Sequence, residues 1–279
     1  MDMKTQNAAP SPATMILSSA RAGSHLLERL LLEKYGVVFP LVSHAIPHFD
    51  TFQGLWGDLS VQRNRRRLLD AVYCFEEIRV KAYIMTGIDA ASARQSSLLC
   101  TRPDADEIVD VSHDFTSLMR NVYQYFALRH GGIRWGYNLG LYTFSPVEEV
   151  SSVFGDTKFI HLVRDGRDVA MSWANVYYGP ENIAEGARLW RDHVNGYAEW
   201  GKANPDMYLE VRYEDILEDN LGVLKKVEQF LGLEERTTVV DLENSPLIKA
   251  SSSTGTHGLV GKPVQSSNKE KWRKGMSSR

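Results

Sequence analysis

Two stretches of the chain share one pattern: a short apolar, β-branched run breaks into small and charged residues, then resumes with apolar positions spaced for one helical face. The first is Thr14–Ser18, followed by Leu26, Leu27, Leu30 and Leu31 within Gly23–Lys34. The second is Thr157–Val163, with helix-like chemistry after it over Arg167–Tyr177. Each predicts a strand, a tight loop and a helix. A third strand is predicted at Met207–Arg212, ahead of an amphipathic helix through Leu221, Leu224, Val227, Phe230 and Leu231 that stops at Gly232. Further helices are predicted over Arg63–Ile78, over Phe115–Leu128 with Asp114 as cap, and through Ile183, Ala187, Trp190, Val194 and Tyr197 up to Asn204–Pro205. Strands alternating with helices predict an α/β fold with a parallel sheet. Tyr35–Leu59, with its prolines, glycines, histidines and phenylalanines, reads as loops lining a substrate. Residues 1–13 read as a disordered tail, 14–279 as a single domain, and 245–267, rich in Ser, Gly, Thr and Pro, as a mobile loop over a ligand.

Composition narrows the function. Apolar residues are 43% and charged residues 24% of 279, an ordinary globular balance, and the net charge of −3 provides no global field to hold nucleic acid or an anionic membrane. Any anion recognition has to be local. The two cysteines, Cys74 and Cys100, form no CxxC and read as small buried thiols in a reducing compartment. No apolar run approaches the roughly 18 residues of a membrane span or forms a signal segment, so the expectation is a cytoplasmic protein. The RNRRR run at Arg63–Arg67 reads as a solvated helix face.

The chemistry gathers at the two strand-to-helix turns. In MILSSARAGSHLLERLL, Gly23 and Ser24 arrive at the first turn of a helix, where backbone N–H groups have no intrahelical partner and the helix dipole favours an anion. Arg21 adds a full charge. A nucleotide triphosphatase loop would end in GKS or GKT, with a lysine for the outer phosphates and a hydroxyl for magnesium, and this loop has neither that lysine nor the spacing. In KFIHLVRDGRDVAMSW, Arg164 stands at the carboxyl end of a strand, where ligands collect in open α/β sheets. Asp165 is the expected cap of the next helix, with Asp168 closing a capping box, and Ser172 lies in that helix's first turns.

With these residues in view, SSARAGSHLLERLL resembles the PRSG(S/T)TLL loop of PAPS-dependent sulfotransferases, in their small-molecule, bacterial-like branch, and FIHLVRDGRDVAMSW resembles that family's second signature. VRYEDILEDNLGVLKKVEQFLGLE is similar to the strand and helix after the donor site, and KWRKGMS to the closing basic segment, so the resemblance runs from Thr14 to the last residues. It implies a three-layer fold like that of P-loop NTPases, with a central, mostly parallel sheet flanked by helices. It also implies PAPS (3′-phosphoadenosine 5′-phosphosulfate) as sulfuryl donor, a small-molecule acceptor, and no metal. Arg21, Ala22, Gly23, Ser24 and His25 would hold the 5′-phosphosulfate, with Arg21 also stabilising the leaving group; Arg164 and Ser172 would hold the 3′-phosphate. Tyr213 would stand near the adenine, and Lys271, Trp272 and Arg273 would close over the nucleotide. Ala20 and Ala22 replace the family's usual proline and serine, which implies weaker donor binding.

Relatives carry a PPESHF-like stretch whose glutamate is the usual candidate base. Here the stretch is FPLVSHAIPHF, with Val42 in the acid's place. His44 then leads as base, His48 is second and His113 third, because imidazole titrates near neutrality. The His44–His48 spacing does not make a zinc site, since Pro47 disfavours a helix there and no HExxH glutamate is present. His161, inside a strand run, reads as core; Trp173, Tyr177 and Tyr178 read first as packing on one helix, with acceptor contact by Tyr177 or Tyr178 as the alternative. A small-molecule kinase, or a binding protein that kept the donor pocket without turnover, are the rival readings.

Overall fold

Thr14–Ser18 (β1), Val37–Val38 (β2), Arg134–Asn138 (β3), Lys158–Val163 (β4) and Tyr208–Arg212 (β5) form a sheet in the order β2-β3-β1-β4-β5, with every neighbouring pair parallel. The structure, a computed structural model, describes residues 13–41, 43, 45–140, 147–176, 179–235, 241–253, 260–264 and 269–275. All five residues of β1 are buried, as the central strand of a sheet covered on both faces must be. Met15 and Leu17 point into one core and Ile16 into the other, so the strand's period of two separates two layers of packing.

On the Ile16 side lie helices Ser24–Tyr35 (α1), Tyr213–Glu218 (α10) and Asn220–Leu231 (α11), which bury Leu27, Leu31, Ile216 and Val227 against Ile160 and Leu162 of β4. On the other side lie Gln62–Met85 (α3), Phe115–Arg129 (α6) and Val147–Phe154 (α7), packed around Trp135, Tyr137 and Phe159. Each fully buried apolar side chain of this kind stabilises the fold by about 1.5–3 kcal/mol. The remaining helices are Ala45–Thr51 (α2), Ala90–Gln95 (α4), Ala105–Asp110 (α5), Gly166–Ala174 (α8), Ile183–Ala203 (α9), Pro246–Ser253 (α12) and the short Trp272–Gly275 (α13). The three-layer α/β architecture expected from the sequence is the one observed.

Several local expectations change. Val37–Val38 is a strand too short to show alternation, and α2 replaces the expected loop. Pro47 is compatible with α2 because it lies in the first turn, where its missing N–H costs no helical bond. Strand β3 is disguised by Gly136, which is required because the Phe39 ring lies 2.2 Å from where a Cβ would stand. Pro246–Ser253 is helical within the stretch expected to be a mobile loop. Residues 1–12, 254–259 and 265–268 lie outside the described residues. Arg65 is not solvated: it is 6% exposed and donates to the carbonyls of Leu59, Ser60 and Val109. Cys74 is exposed rather than buried, and Cys100 is half-buried, its thiol pushed up to about 12 by burial. Asp114 does cap α6, in a capping box with Ser117.

Candidate functional site

The carboxyl ends of β1 and β4 are neighbours in register, Ser18 beside Leu162, so the two loops that leave them rise side by side. This topology joins the two anion motifs. Arg21 adopts φ 66, a left-handed conformation that costs a non-glycine residue roughly 1–3 kcal/mol and persists only where the surroundings hold it. Two contacts with described residues hold it here. Its carbonyl accepts a hydrogen bond from Arg164 Nη1 at 3.1 Å, and its own Nε donates to Ser172 Oγ at 3.1 Å. The groups the sequence assigns to opposite ends of a nucleotide are thus in direct contact across the two loops.

Gly23, the N-cap of α1, has φ 100 and no side-chain cap, so no side chain competes for the amides of the first turn. It also has to be glycine because the Tyr213 ring lies 2.5 Å from where a Cβ would sit. Tyr213, at the start of α10, is buried and lies under the Arg164 guanidinium at 4.5 Å from the ring centroid, a cation–π contact. Ser24 begins α1, half-buried. Ala20 and Ala22 are both buried, the first against Val169 and Trp173 and the second in the α1–α10 core. Their methyl groups fill packing space.

Around α8 the structure revises one expectation. Asp165 caps the helix through the Arg167 N–H, and the Arg167 guanidinium on its carboxylate, with burial working against it, holds its pKa below the usual carboxylate range. Asp168 does not complete a capping box. The Asp165 N–H goes instead to Glu214 at 2.9 Å, and the buried Asp168 carboxylate accepts the Trp272 backbone N–H at 2.7 Å while facing Arg164 Nη2 at 3.4 Å. Trp272 is thereby tied to Arg164. Its ring is flanked by Arg167 at 3.7 Å and Arg273 at 4.7 Å. Arg273 also pairs with Glu270, and Lys271 is exposed. Trp190 on α9 donates its indole N–H to the Arg164 carbonyl at 3.0 Å, fixing the loop from behind.

His25 lies one residue into α1, buried, with Nδ1 2.7 Å from Glu28 Oε2. The other Glu28 oxygen accepts from Asn138 Nδ2 at 2.5 Å, and Asn138 Oδ1 accepts the Gly140 N–H at 2.8 Å. Burial lowers the His25 pKa, but the charge and hydrogen bond of Glu28 outweigh it, and Arg21 opposes only weakly, so the net shift is upward. Glu28, Asn138 and Glu214 were not singled out in the sequence, and Trp190 was read there only as a position on a helical face. Of the first three, only Glu28 left a trace there, at helical spacing from His25.

Of the expected bases, His44 lies outside the described residues, as does Val42. His48 is exposed on α2, its ring stacked on Phe75 with centroids 4.8 Å apart. His113 is exposed just ahead of α6. His161 is core, its pKa lowered to about 4 by burial. Tyr177 and Tyr178 lie outside the described residues. Among the described residues no group of His, Cys, Asp or Glu has a metal-binding arrangement, and no helix is long and apolar enough to cross a membrane.

Comparison with known proteins adds the family. The model of the sulfotransferase family matches residues 12–237. Among solved structures, the sulfotransferase domain from the Synechococcus PCC 7002 olefin synthase is 20% identical with a TM-score of 0.60, covering 99% of this chain and 92% of that one. The sulfotransferase domain from the curacin biosynthetic pathway is 18% identical with a TM-score of 0.62, covering 98% and 94% respectively. No curated protein matches the chain. The family match takes in both strand-to-helix turns and the strand that leads to Tyr213, and on that ground this chain belongs to the sulfotransferase family.

Proposed function

We propose that this protein transfers the sulfuryl group of PAPS directly to a hydroxyl or amine of a small-molecule acceptor, releasing adenosine 3′,5′-bisphosphate. The observation that carries the reading is the junction of Arg21, Arg164 and Ser172 at the paired ends of β1 and β4. The side chains of that junction are donors, and together with the first-turn amides of α1 they suit a doubly phosphorylated nucleotide. Arg21, Ala22, Gly23, Ser24 and His25 would surround the 5′-phosphosulfate, Arg164 and Ser172 the 3′-phosphate. Tyr213 and the Lys271–Arg273 segment would line the nucleotide.

Sulfuryl transfer, like phosphoryl transfer, passes through a loose in-line transition state with charge on the equatorial oxygens and the leaving bridge. Arg21 and the amides at Gly23–His25 would stabilise that charge, each donor contributing on the order of 3 kcal/mol. This chemistry needs no metal ion. A histidine takes the acceptor proton; the sequence favours His44, then His48. The two fold relatives come from an olefin synthase and a curacin biosynthetic pathway, in keeping with a natural-product acceptor; a cytoplasmic, single-domain enzyme over 14–279 is the reading of the sequence. Incubation with PAPS and a panel of small phenols, alcohols and amines, read by mass spectrometry, should show products heavier by one SO3 group together with adenosine 3′,5′-bisphosphate. Sulfuryl transfer to none of the panel, with ATP-dependent phosphorylation in its place, would refute it.

A further inference from the structure

We propose that His25 is the group that takes the acceptor's proton, held in position by Glu28, which Asn138 orients in turn; this rests on the PAPS reading above. The three side chains come from separate places, the first turn of α1, one helical step further along it, and the carboxyl end of β3, and they form a continuous hydrogen-bonded chain. The Asn138 amide is itself fixed by the Gly140 N–H, so its Nδ2 faces Glu28. A carboxylate against Nδ1 holds the neutral imidazole as the Nδ1–H tautomer, with the basic lone pair on Nε2. This is the arrangement of a general base oriented by a third group. Of the expected bases that are described, neither His48 nor His113 is bonded to a carboxylate among the described residues.

Placement supports the assignment. His25 follows Ser24 on the loop that would hold the phosphosulfate, so its ring starts from the backbone that grips the reacting group. His25 also lines a narrow cleft of about 20 Å³, room for one water or one hydroxyl group. Phe39, Leu41, Ile248 and Val260 wall that cleft. Its charged neighbours are Glu28 and Arg29 on α1 and Arg21 from the loop; α12 contributes Ser251, and Arg29 is occupied by the Lys262 carbonyl at 2.7 Å. Apolar walls beside a buried base suit a hydroxyl carried on an apolar body. In the step, the acceptor oxygen forms the new O–S bond as its proton passes to His25 Nε2. The S–O bond to the 5′-phosphate breaks, and its electron pair leaves with the adenosine 3′,5′-bisphosphate.

The test uses the full chain with PAPS and three acceptors, 4-nitrophenol, 2-naphthol and 1-octanol, alongside titration of the histidine rings by long-range 1H–15N spectra. His25→Asn should lower kcat at saturating PAPS by about 100-fold or more, a comparison into which any weakened donor binding does not enter. Glu28→Gln removes the anion that raises the His25 pKa, so the acid limb of the kcat/KM profile should move to lower pH with kcat reduced more than KM changes. The spectra should show His25 as the Nδ1–H tautomer, titrating above an ordinary histidine in wild type and lower in Glu28→Gln. Wild-type turnover in His25→Asn, or a His25 titration unmoved by Glu28→Gln, would overturn the assignment. Failure of the wild-type protein to bind adenosine 3′,5′-bisphosphate would instead overturn the donor reading on which it rests.

Discussion

Arg164 serves the site through its whole shape. Its guanidinium lies over Tyr213, donates to the Arg21 carbonyl and faces Asp168, while its own carbonyl accepts the Trp190 indole N–H. Arg164→Lys keeps the charge but loses the planar fork and the stacking face. Its affinity for adenosine 3′,5′-bisphosphate, measured by calorimetry, should fall about 10- to 100-fold, the equivalent of one or two charge-assisted hydrogen bonds. Equal affinity would mean that Arg164 supplies only charge. Gly23 is constrained twice, by φ 100 and by the Tyr213 ring 2.5 Å from a Cβ position. Gly23→Ala should cost about 1–3 kcal/mol of stability and show as a drop of several degrees in thermal midpoint. An unchanged midpoint would show that the loop can relax around the methyl group.

At the scale of elements, Asp168 joins α8 to the segment that carries Trp272. Asp168→Asn keeps the shape but weakens a charge-assisted bond of about 1.5–3 kcal/mol. Hydrogen exchange at the Trp272 amide should speed up without change in the β1 amides; unaltered exchange would uncouple the two elements. Strand β4 carries a pH dependence. His161 Nδ1 is 2.5 Å from the Tyr208 hydroxyl, itself directed at Glu210, and burial lowers its pKa to about 4. The unfolded chain takes up this proton near pH 6.5 and the folded chain only near 4. Stability is therefore full above about 6.5 and lost progressively as pH falls towards 4, by on the order of 3 kcal/mol. Urea midpoints between pH 7 and 4 should show that loss, and His161→Gln should flatten it.

The same elements show what could be read from the chain. Both anion loops were legible because each is local: a strand end, a turn and a helix start lie within a few residues of one another, and their chemistry is continuous in sequence. The Glu28–Asn138 bond was not, because its partners stand 110 residues apart and meet only once β3 pairs with β1. Strand β2 has two residues and shows no alternation; β3 contains a glycine required by Phe39 and ends in the polar Asn138. Asp168 was read as part of a local cap because its spacing fits one, yet tertiary packing gives it Trp272 and gives Asp165 the carboxylate of Glu214.

For the whole molecule, the parallel order β2-β3-β1-β4-β5 sets β1 between β3 and β4, so the loop after β1 is placed between the anion junction on one side and the His25–Glu28–Asn138 chain on the other. Under the proposed function, donor grip and proton acceptance would thereby be served by a single loop. The proposed function requires this loop and the Arg164 turn to recognise a 3′,5′-bisphosphorylated adenosine through protein donors. Calorimetric titration of adenosine 3′,5′-bisphosphate into the full chain, with a chelator present, tests it most directly. Saturable one-site binding that the chelator does not alter is expected, with a thermal midpoint raised by several degrees in excess ligand. Binding of ATP that requires magnesium, with none of the bisphosphate, would contradict it.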